Sequence, residues 1–220
     1  MKSSNRKLGL LEEMRTVSCG NISDAMDFLG LPNGVVRGGP KMLSATMSTL
    51  AGYAFTVTQM PKHQTATKGA TKHRDVFNRL AQPGDVVVID TGEYNGAASC
   101  GLLLALRAKM RGIAGIIING CCRDAKEIVE QGIPFFCSGS VPRKSILLET
   151  VDLNRPVVIG GVQIRRGDLI IGDVDGLIIV PIQHAEEILK QAKRIHMVEE
   201  KMEALILSGE DFDGLRERCQ

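Results

Sequence analysis

Tryptophan is absent from this 220-residue chain, and aromatic residues make up only 4% of it. The core must therefore be aliphatic, drawn from the frequent Val, Ile, Leu and Met. No apolar run approaches the roughly 20 residues that a membrane-spanning helix needs, so no membrane association is expected. The first stretch, "MKSSNRKLGLLEEM", carries basic residues, but Glu12 and Glu13 arrive before any long apolar segment. That pattern argues against a signal peptide and makes the cytoplasm the expected compartment. A charge excess is missing too. The net charge is +2, and the basic residues are interleaved with Asp and Glu. Direct nucleic-acid binding is not expected from such a surface.

Cysteine motifs are also lacking. The six cysteines are Cys19, Cys100, Cys121, Cys122, Cys137 and Cys219, with no C-x-x-C pair and no histidine at zinc-ligand spacing. Vicinal Cys121 and Cys122 are poorly placed to bridge each other. All six are expected to be reduced and to behave as small hydrophobes.

Hydrophobic residues are 44% of the chain and charged residues 24%, ordinary values for a globular protein. No linker or composition shift divides the sequence, so residues 1–220 read as a single domain. Residues 8–29 read as helix, with a break in "SCGNISDAMDFLG" where Asn21 or Ser23 can cap a restart. "LAGYAFTVTQM" has the β-branched and aromatic content of a strand. "ATKGATKHRDVFNRL" reads as helix in its second half. "GDVVVID" and "IAGIIIN" are continuous apolar runs, typical of strands buried on both faces. Between and after them, "CGLLLALRAKMRG" and "DAKEIVEQG" read as helices ending at Gly112 and Gly132. "IPFFCSG" is again strand-like. Alternating strand and helix predicts an α/β protein with a central parallel sheet and right-handed crossovers.

The later segment "RPVVIGGVQIRRGDLIIGDVDGLIIVP" differs. Its short β-rich runs follow one another through Gly-Asp turns, with no room for helices. They predict an antiparallel meander or a second β-rich layer. Residues 183–209 close the chain as a long amphipathic helix, with Ile188, Leu189, Ala192, Ile195 and Met202 as its apolar stripe.

In a parallel sheet, ligands bind at the carboxyl ends of the strands. Two loops emerge there: "TGEYNGAASCG" and "NGCCRD". The first runs into a helix start near Gly101, where unpaired N–H groups favour an anion. The second supplies Arg123, whose planar fork suits a carboxylate, and Asp124, a hard oxygen ligand suited to Mg²⁺. An equally simple reading is that Arg123 and Asp124 only cap the next helix and pair with surface charges. His63 and His73 lie in a polar stretch and are expected at the surface, as are His184 and His196. Asp173 and Asp175 in "GDVDG" are expected to serve a turn between strands.

The run "PGDVVVID…GAASCGLLLALRAKMRGIAGIIINGCCRDAKEI" resembles the family of the 4-hydroxy-4-methyl-2-oxoglutarate aldolases and the regulator of ribonuclease activity A. "RPVVIGGVQIRRGDLIIGDVDGLIIVP", "ISDAMDFLG" and "GYAFTV" fit the same family, so the resemblance covers nearly the whole chain. It implies a swivelling β/β/α fold and trimers or hexamers with sites at subunit contacts. It also implies a class II aldolase or decarboxylase acting on a small 2-oxo acid through a pyruvate enolate, with Mg²⁺ or Mn²⁺ as cofactor. By the same resemblance Arg123 binds the substrate, Asp124 ligates the metal, and the N–H groups of Leu102, Leu103 and Leu104, after Gly101, hold the pyruvate carboxylate. Glu199 of a neighbouring subunit, with Glu200 as the other option, would order metal-bound water. Neither Cys121 nor Cys122 has a part in this chemistry.

One position departs from the family. Its enzymes carry an acidic residue directly after the glycine matching Gly101, and this chain has Leu102. General acid–base assistance is typically worth ~10²–10⁴-fold. Metal and 2-oxo acid binding are thus expected to survive better than proton transfer. The alternative is a non-catalytic regulator that docks a ribonuclease or another protein. Glu93, in the preceding loop, is the candidate to stand in for that carboxylate.

Overall fold

Long apolar runs with β-branched side chains form the middle of the sheet, because such residues fill a surface covered on both faces. The computed structural model describes residues 9–62 and 72–219, so His63 lies outside the described residues. Residues 9–14 are helical. The elements that follow are α1 (Cys19–Phe28), β1 (Lys41–Met42), β2 (Leu50–Pro61) and α2 (Lys72–Asp75), the last continued by a π-helical turn over Val76–Leu80. Next come β3 (Asp85–Asp90), β4 (Ala98–Cys100), α3 (Leu102–Met110), β5 (Gly115–Cys122), α4 (Ala125–Gln131) and β6 (Phe135–Ser140). The chain ends with β7 (Leu148–Leu153), β8 (Val157–Ile159), β9 (Val162–Ile164), β10 (Leu169–Gly172), β11 (Leu177–Val180), α5 (Ala185–Leu207) and α6 (Leu215–Cys219).

Nine strands make one mixed sheet in the order β1-β6-β5-β3-β2-β10-β11, with β4 added beside β5 and β7 beside β2. Strands β2, β3, β5 and β6 are mutually parallel, as the alternating pattern predicts. In register, Val86 faces Gly115 and Asp90 faces Asn119, so the apolar runs of β3 and β5 end together. The β-rich segment divides. β10 extends the main sheet antiparallel to β2, β11 pairs antiparallel with β10, and among the described residues only the β8–β9 hairpin stands as a separate layer.

Three apolar clusters fill the interior. One lies between the sheet and α3 and α4, around Phe55, Phe77, Ile116, Ile118 and Phe135. A second packs residues 9–14, α1 and α5 on β10 and β11, through Met14, Ile22, Met26, Ile188 and Ala192. The third is covered by the β8–β9 hairpin and centres on Val88, Ile117, Phe136 and Ile159. Phenylalanine is the only aromatic among these largest buried side chains, and aliphatics supply the rest, as the scarcity of aromatics requires. The stripe expected on α5 is buried at Ile188, Leu189, Ala192 and Ile195, and half-buried at Met202.

Ser18 caps α1, not Asn21 or Ser23. Its hydroxyl oxygen accepts from the Asn21 N–H at 3.0 Å. Asn21 is itself buried and donates from its carboxamide to Glu199 on α5. The cap lies three residues before Asn21 because the helix starts at Cys19, whose N–H is held by the Asp173 carboxylate at 2.9 Å. Asp173 also accepts from the Asp175 N–H at 3.0 Å, which makes "GDVDG" the turn expected of it. No helix among the described residues is long and apolar enough to cross a membrane.

Gly52 shows how tightly β2 meets its neighbours. A Cβ there would lie 2.6 Å from the Gly84 carbonyl oxygen and 2.8 Å from the Ala114 methyl. Overpacking of this kind costs about 1–3 kcal/mol. Gly52→Ala should therefore lower the unfolding free energy by about 1–3 kcal/mol, read as a lower urea midpoint at an unchanged denaturant slope.

Candidate functional site

The carboxyl ends of β4 and β5 deliver Gly101 and Arg123–Asp124 to one place. β4 pairs in parallel with β5, setting Cys100 beside Cys122. The Arg123 N–H then donates to the Cys100 carbonyl at 2.9 Å. One residue further along each strand, Gly101 opens α3 and Asp124 opens α4. Two helix N-termini and two loops thus share one crevice, as the position of ligand sites in parallel sheets requires.

Asp124 stands at the capping position of α4 but does not cap it with its side chain. Its backbone is left-handed, with φ 62° and ψ 42°. Aspartate tolerates that region better than most residues, yet it remains uncommon outside glycine. The conformation turns the carboxylate away from its own helix and toward α3, where Oδ2 accepts the Leu102 N–H at 3.2 Å. The other oxygen, Oδ1, lies 3.3 Å from Arg123 Nε. The simple capping reading of this pair is overturned.

Gly101 is required for space and not for conformation, since its φ of −134° is open to any residue. A Cβ at this position would lie 3.0 Å from Asp124 Oδ2. The glycine leaves room for the carboxylate.

Around the pair is a small cavity of about 150 Å³ lined by Gly101, Leu103, Leu104, Arg123, Asp124 and Lys144, among others. Arg123 and Lys144 bring two cations against the single Asp124 carboxylate. Three larger cavities lie elsewhere among the described residues. One, of about 620 Å³, opens near Tyr53 and Asp85 at the amino end of β3. Another, of about 750 Å³, lies between α1 and α5, off the sheet. Neither of these is at the carboxyl edge of the parallel strands. A third, of about 340 Å³, does lie at that edge, beyond β2 and β3, lined by Gln59, Asp90, Thr91 and Tyr94 among others. We take the smaller crevice as the site because Arg123 and Asp124 line it.

Of the three amides expected to form an anion cradle, Leu102 N–H is held by Asp124 and Leu104 N–H reaches the Gly101 carbonyl at 3.1 Å. Leu103 is the most exposed of the three, at 79%. Its side chain lines the cavity, whereas that of Leu102 does not. Glu199 is not brought to this crevice within the chain. It sits on the exposed side of α5, held by Asn21, and Glu200 pairs with His196 at 3.4 Å. Glu93, also with positive φ, is exposed and is not among the cavity-lining residues. No carboxylate of this chain thus replaces the acid missing at Leu102 among the described residues.

All six cysteines are free and buried. Burial, followed by the Asp124 charge, pushes the Cys100 thiol well above its ordinary range. The hydrogen bond with Cys137 and burial do the same for Cys122. These are inert core thiols at neutral pH.

His73 is the residue that sequence reasoning misplaced. It is half-buried, and its ring stands edge-on to Phe77 with centroids 5.5 Å apart. Its Nε2 lies 3.0 Å from the Ser99 carbonyl and its Nδ1 lies 3.0 Å from Gln59 Nε2. A carbonyl only accepts, so the network assigns the proton to Nε2 and leaves Nδ1 to accept from Gln59. The Ser99 hydroxyl donates to Gln59 Oε1 at 2.6 Å, which fixes the amide orientation. A histidine three and four residues before a helical apolar pair (Val76, Phe77) was the available signal. It is too common a pattern to have singled His73 out.

Two predictions follow from these contacts. Asp124→Asn keeps both an acceptor for Leu102 N–H and a tolerance for left-handed backbone, so its melting temperature should match wild type. Asp124→Ala loses both and should lose about 1–2 kcal/mol by thermal denaturation. Burial lowers the His73 pKa from 6.5 to about 4, with the Ser99 carbonyl opposing the shift. Unfolding therefore takes up a proton between those values. The stabilisation is complete above the upper value and is lost as pH falls to the lower one. Urea titrations should show about 1 kcal/mol less stability at pH 5 than at pH 7, after discounting for partial exposure, and His73→Phe should remove that difference.

Comparison with known proteins places this geometry in a lineage. Residues 19–179 match the family model described as RraA-like, Aldolase/RraA. A protein of Halalkalibacterium halodurans, provisionally named 4-hydroxy-4-methyl-2-oxoglutarate aldolase, is 32% identical over 210 residues, 92% of this chain and 91% of its own. The crystal structure of Streptomyces coelicolor RraAS2, described as an unusual member of the RNase ES inhibitor RraA protein family, superposes with a TM-score of 0.78. It is 29% identical, over 87% of this chain and 95% of that one. A Pseudomonas syringae crystal structure superposes at a TM-score of 0.82 and 25% identity, covering 95% and 97% of the two chains. The chain that joins Gly101, Arg123 and Asp124 at one sheet edge belongs to the RraA-like family.

Proposed function

We propose that the protein is a divalent-metal-dependent carbon–carbon lyase that cleaves or decarboxylates a small 2-oxo acid. The observation that carries this reading is the Asp124 carboxylate, turned out of its capping role by left-handed backbone to face a cavity also lined by Arg123. Aldolase names among the relatives support a lyase at the level of the family.

The donor set was compared with the metal that the family implies. No group of three His, Cys, Asp or Glu residues that could hold a metal ion occurs among the described residues. A lone carboxylate fits Mg²⁺ or Mn²⁺ in the mode where substrate oxygens and water supply most ligands, so Asp124 would hold the ion. When bound, the cation would supply Lewis-acid withdrawal of charge from the substrate's keto oxygen.

The chain's own residues do the rest. Arg123 offers N–H donors to the substrate carboxylate or keto oxygen, and stabilises the enolate charge as it develops. The α3 N-terminus, at Leu102, Leu103 and Leu104, places backbone dipoles toward the substrate carboxylate. Leu102 provides no proton-transfer group, so proton delivery falls to solvent or to a residue from another subunit. A trimer or hexamer that brings Glu199 of a neighbouring subunit to the crevice would answer that need.

A second reading draws on the same Leu102 and on the ribonuclease-inhibitor description of the Streptomyces relative. On that reading the protein is a regulator that docks a ribonuclease and turns nothing over.

One assay separates the two. Oxaloacetate decarboxylation with Mg²⁺ or Mn²⁺ should be measurable in wild type and fall at least ~10²-fold in Asp124→Asn. Chelation with EDTA should reduce it equally. A wild type with no metal-dependent turnover on oxaloacetate or aldol substrates would sink the lyase reading and favour the regulator.

A further inference from the structure

β4 is the weak point in the support of this site. It has three residues, pairs among the described residues only with β5, and its register with β5 shifts between Ala98 and Cys100. Ser99 sits at that irregularity, where a strand's backbone groups lose their ladder partners. Yet Ser99 is 2% exposed, so its carbonyl and hydroxyl both need partners inside the protein. They find them on side chains: the carbonyl on His73 Nε2 at 3.0 Å, and the hydroxyl on Gln59 Oε1 at 2.6 Å.

Gln59 in turn is anchored. It is 3% exposed, lies at the bulge where β2 meets β7, and donates to Thr150 Oγ1 at 3.2 Å as well as to His73 Nδ1. Among the described residues, His73 and Gln59 together thus serve β4 where a second neighbouring strand would. Two residues beyond Ser99 is Gly101, whose carbonyl accepts the first hydrogen bonds of α3. A shift of Ser99 is passed directly to the helix N-terminus.

We propose that His73 is a positioning residue, holding Ser99 so that the N-terminus of α3 and the Asp124 carboxylate face the same ligand. It touches no substrate and acts through the backbone of β4. A neutral Nε2–H ring is what the role demands, because a proton on Nδ1 would oppose the Gln59 donor. The low pKa agrees with this. The placement of α3 by His73 stands on the contacts alone; its consequence for ligand binding rests on the lyase reading.

Hydrogen–deuterium exchange on the full-length protein tests the placement. His73→Phe keeps the ring packed near Phe77 but removes the donor to Ser99. Exchange at the Leu102 and Leu104 amides should rise about tenfold, the scale of one lost hydrogen bond, with β3 and β5 unchanged. His73→Gln, which restores an N–H donor, should bring exchange most of the way back. Unchanged exchange at these amides, or a uniform rise across the domain, would overturn the proposal. Should His73→Phe fail to fold, the wild-type imidazole nitrogen spectrum decides. A neutral ring protonated on Nε2 at pH 6 supports the proposal, and a charged ring or an Nδ1–H ring overturns it.

Oxalate binding with Mg²⁺ gives a separate readout. The dissociation constant should rise about tenfold in His73→Phe, while turnover at saturating substrate stays at the wild-type level. A wild type that binds no oxalate counts against the lyase reading alone, and the exchange data still decide the role of His73.

Discussion

The contact from the Leu102 N–H to the Asp124 carboxylate ties together everything at the sheet edge. It joins the first residue of one helix to the residue opening another, and it exists only because three neighbours allow it. Gly101 leaves the space, the left-handed backbone of Asp124 turns the carboxylate across, and the β4–β5 pairing sets the two chain ends side by side. Burying an anion's partner at a helix N-terminus is favourable on its own, since the amide dipoles point the right way. In the free protein the carboxylate occupies part of the very end of α3 that would receive a ligand anion.

The thiols and the histidine changed places in importance once packing was known. Cys121 and Cys122 are conspicuous as letters but lie in a fully buried strand, where low polarity keeps thiols protonated. His73 looks unremarkable between charged residues, yet both its ring nitrogens are engaged and its position supports β4. Chemical reactivity follows environment more than residue type. A side chain's partners decide whether it is filler, switch or strut.

Much of the fold was legible because it rests on local rules. The apolar runs of β3 and β5 announce strands covered on both faces, and glycines at 112 and 132 mark where helices stop. The short strand β4 was not legible. Its three residues, Ala98–Cys100, carry no alternation, and it pairs with Cys121–Cys122, where β5 runs on past the end of its ladder with β3 at Asn119. The cap at Ser18 was missed for a similar reason: Asp173, 154 residues away, holds the Cys19 N–H and sets where the helix begins.

By itself the sequence determined the α/β class, the aliphatic core, the β3-α3-β5-α4-β6 alternation, and the Arg123–Asp124 step as the place to look. These depend on composition, period and turn chemistry, all of which are local. Only the tertiary structure decided that Asp124 leaves its own helix uncapped, that Gly101 is needed for its carboxylate, and that His73 braces Ser99. Each of those depends on segments far apart in the chain meeting at a few ångströms, and a one-dimensional pattern holds no information about such distances. Leu102 belongs to both sides. The family resemblance leads one to expect a carboxylate where the sequence has leucine, and among the described residues no carboxylate but Asp124 lines the crevice.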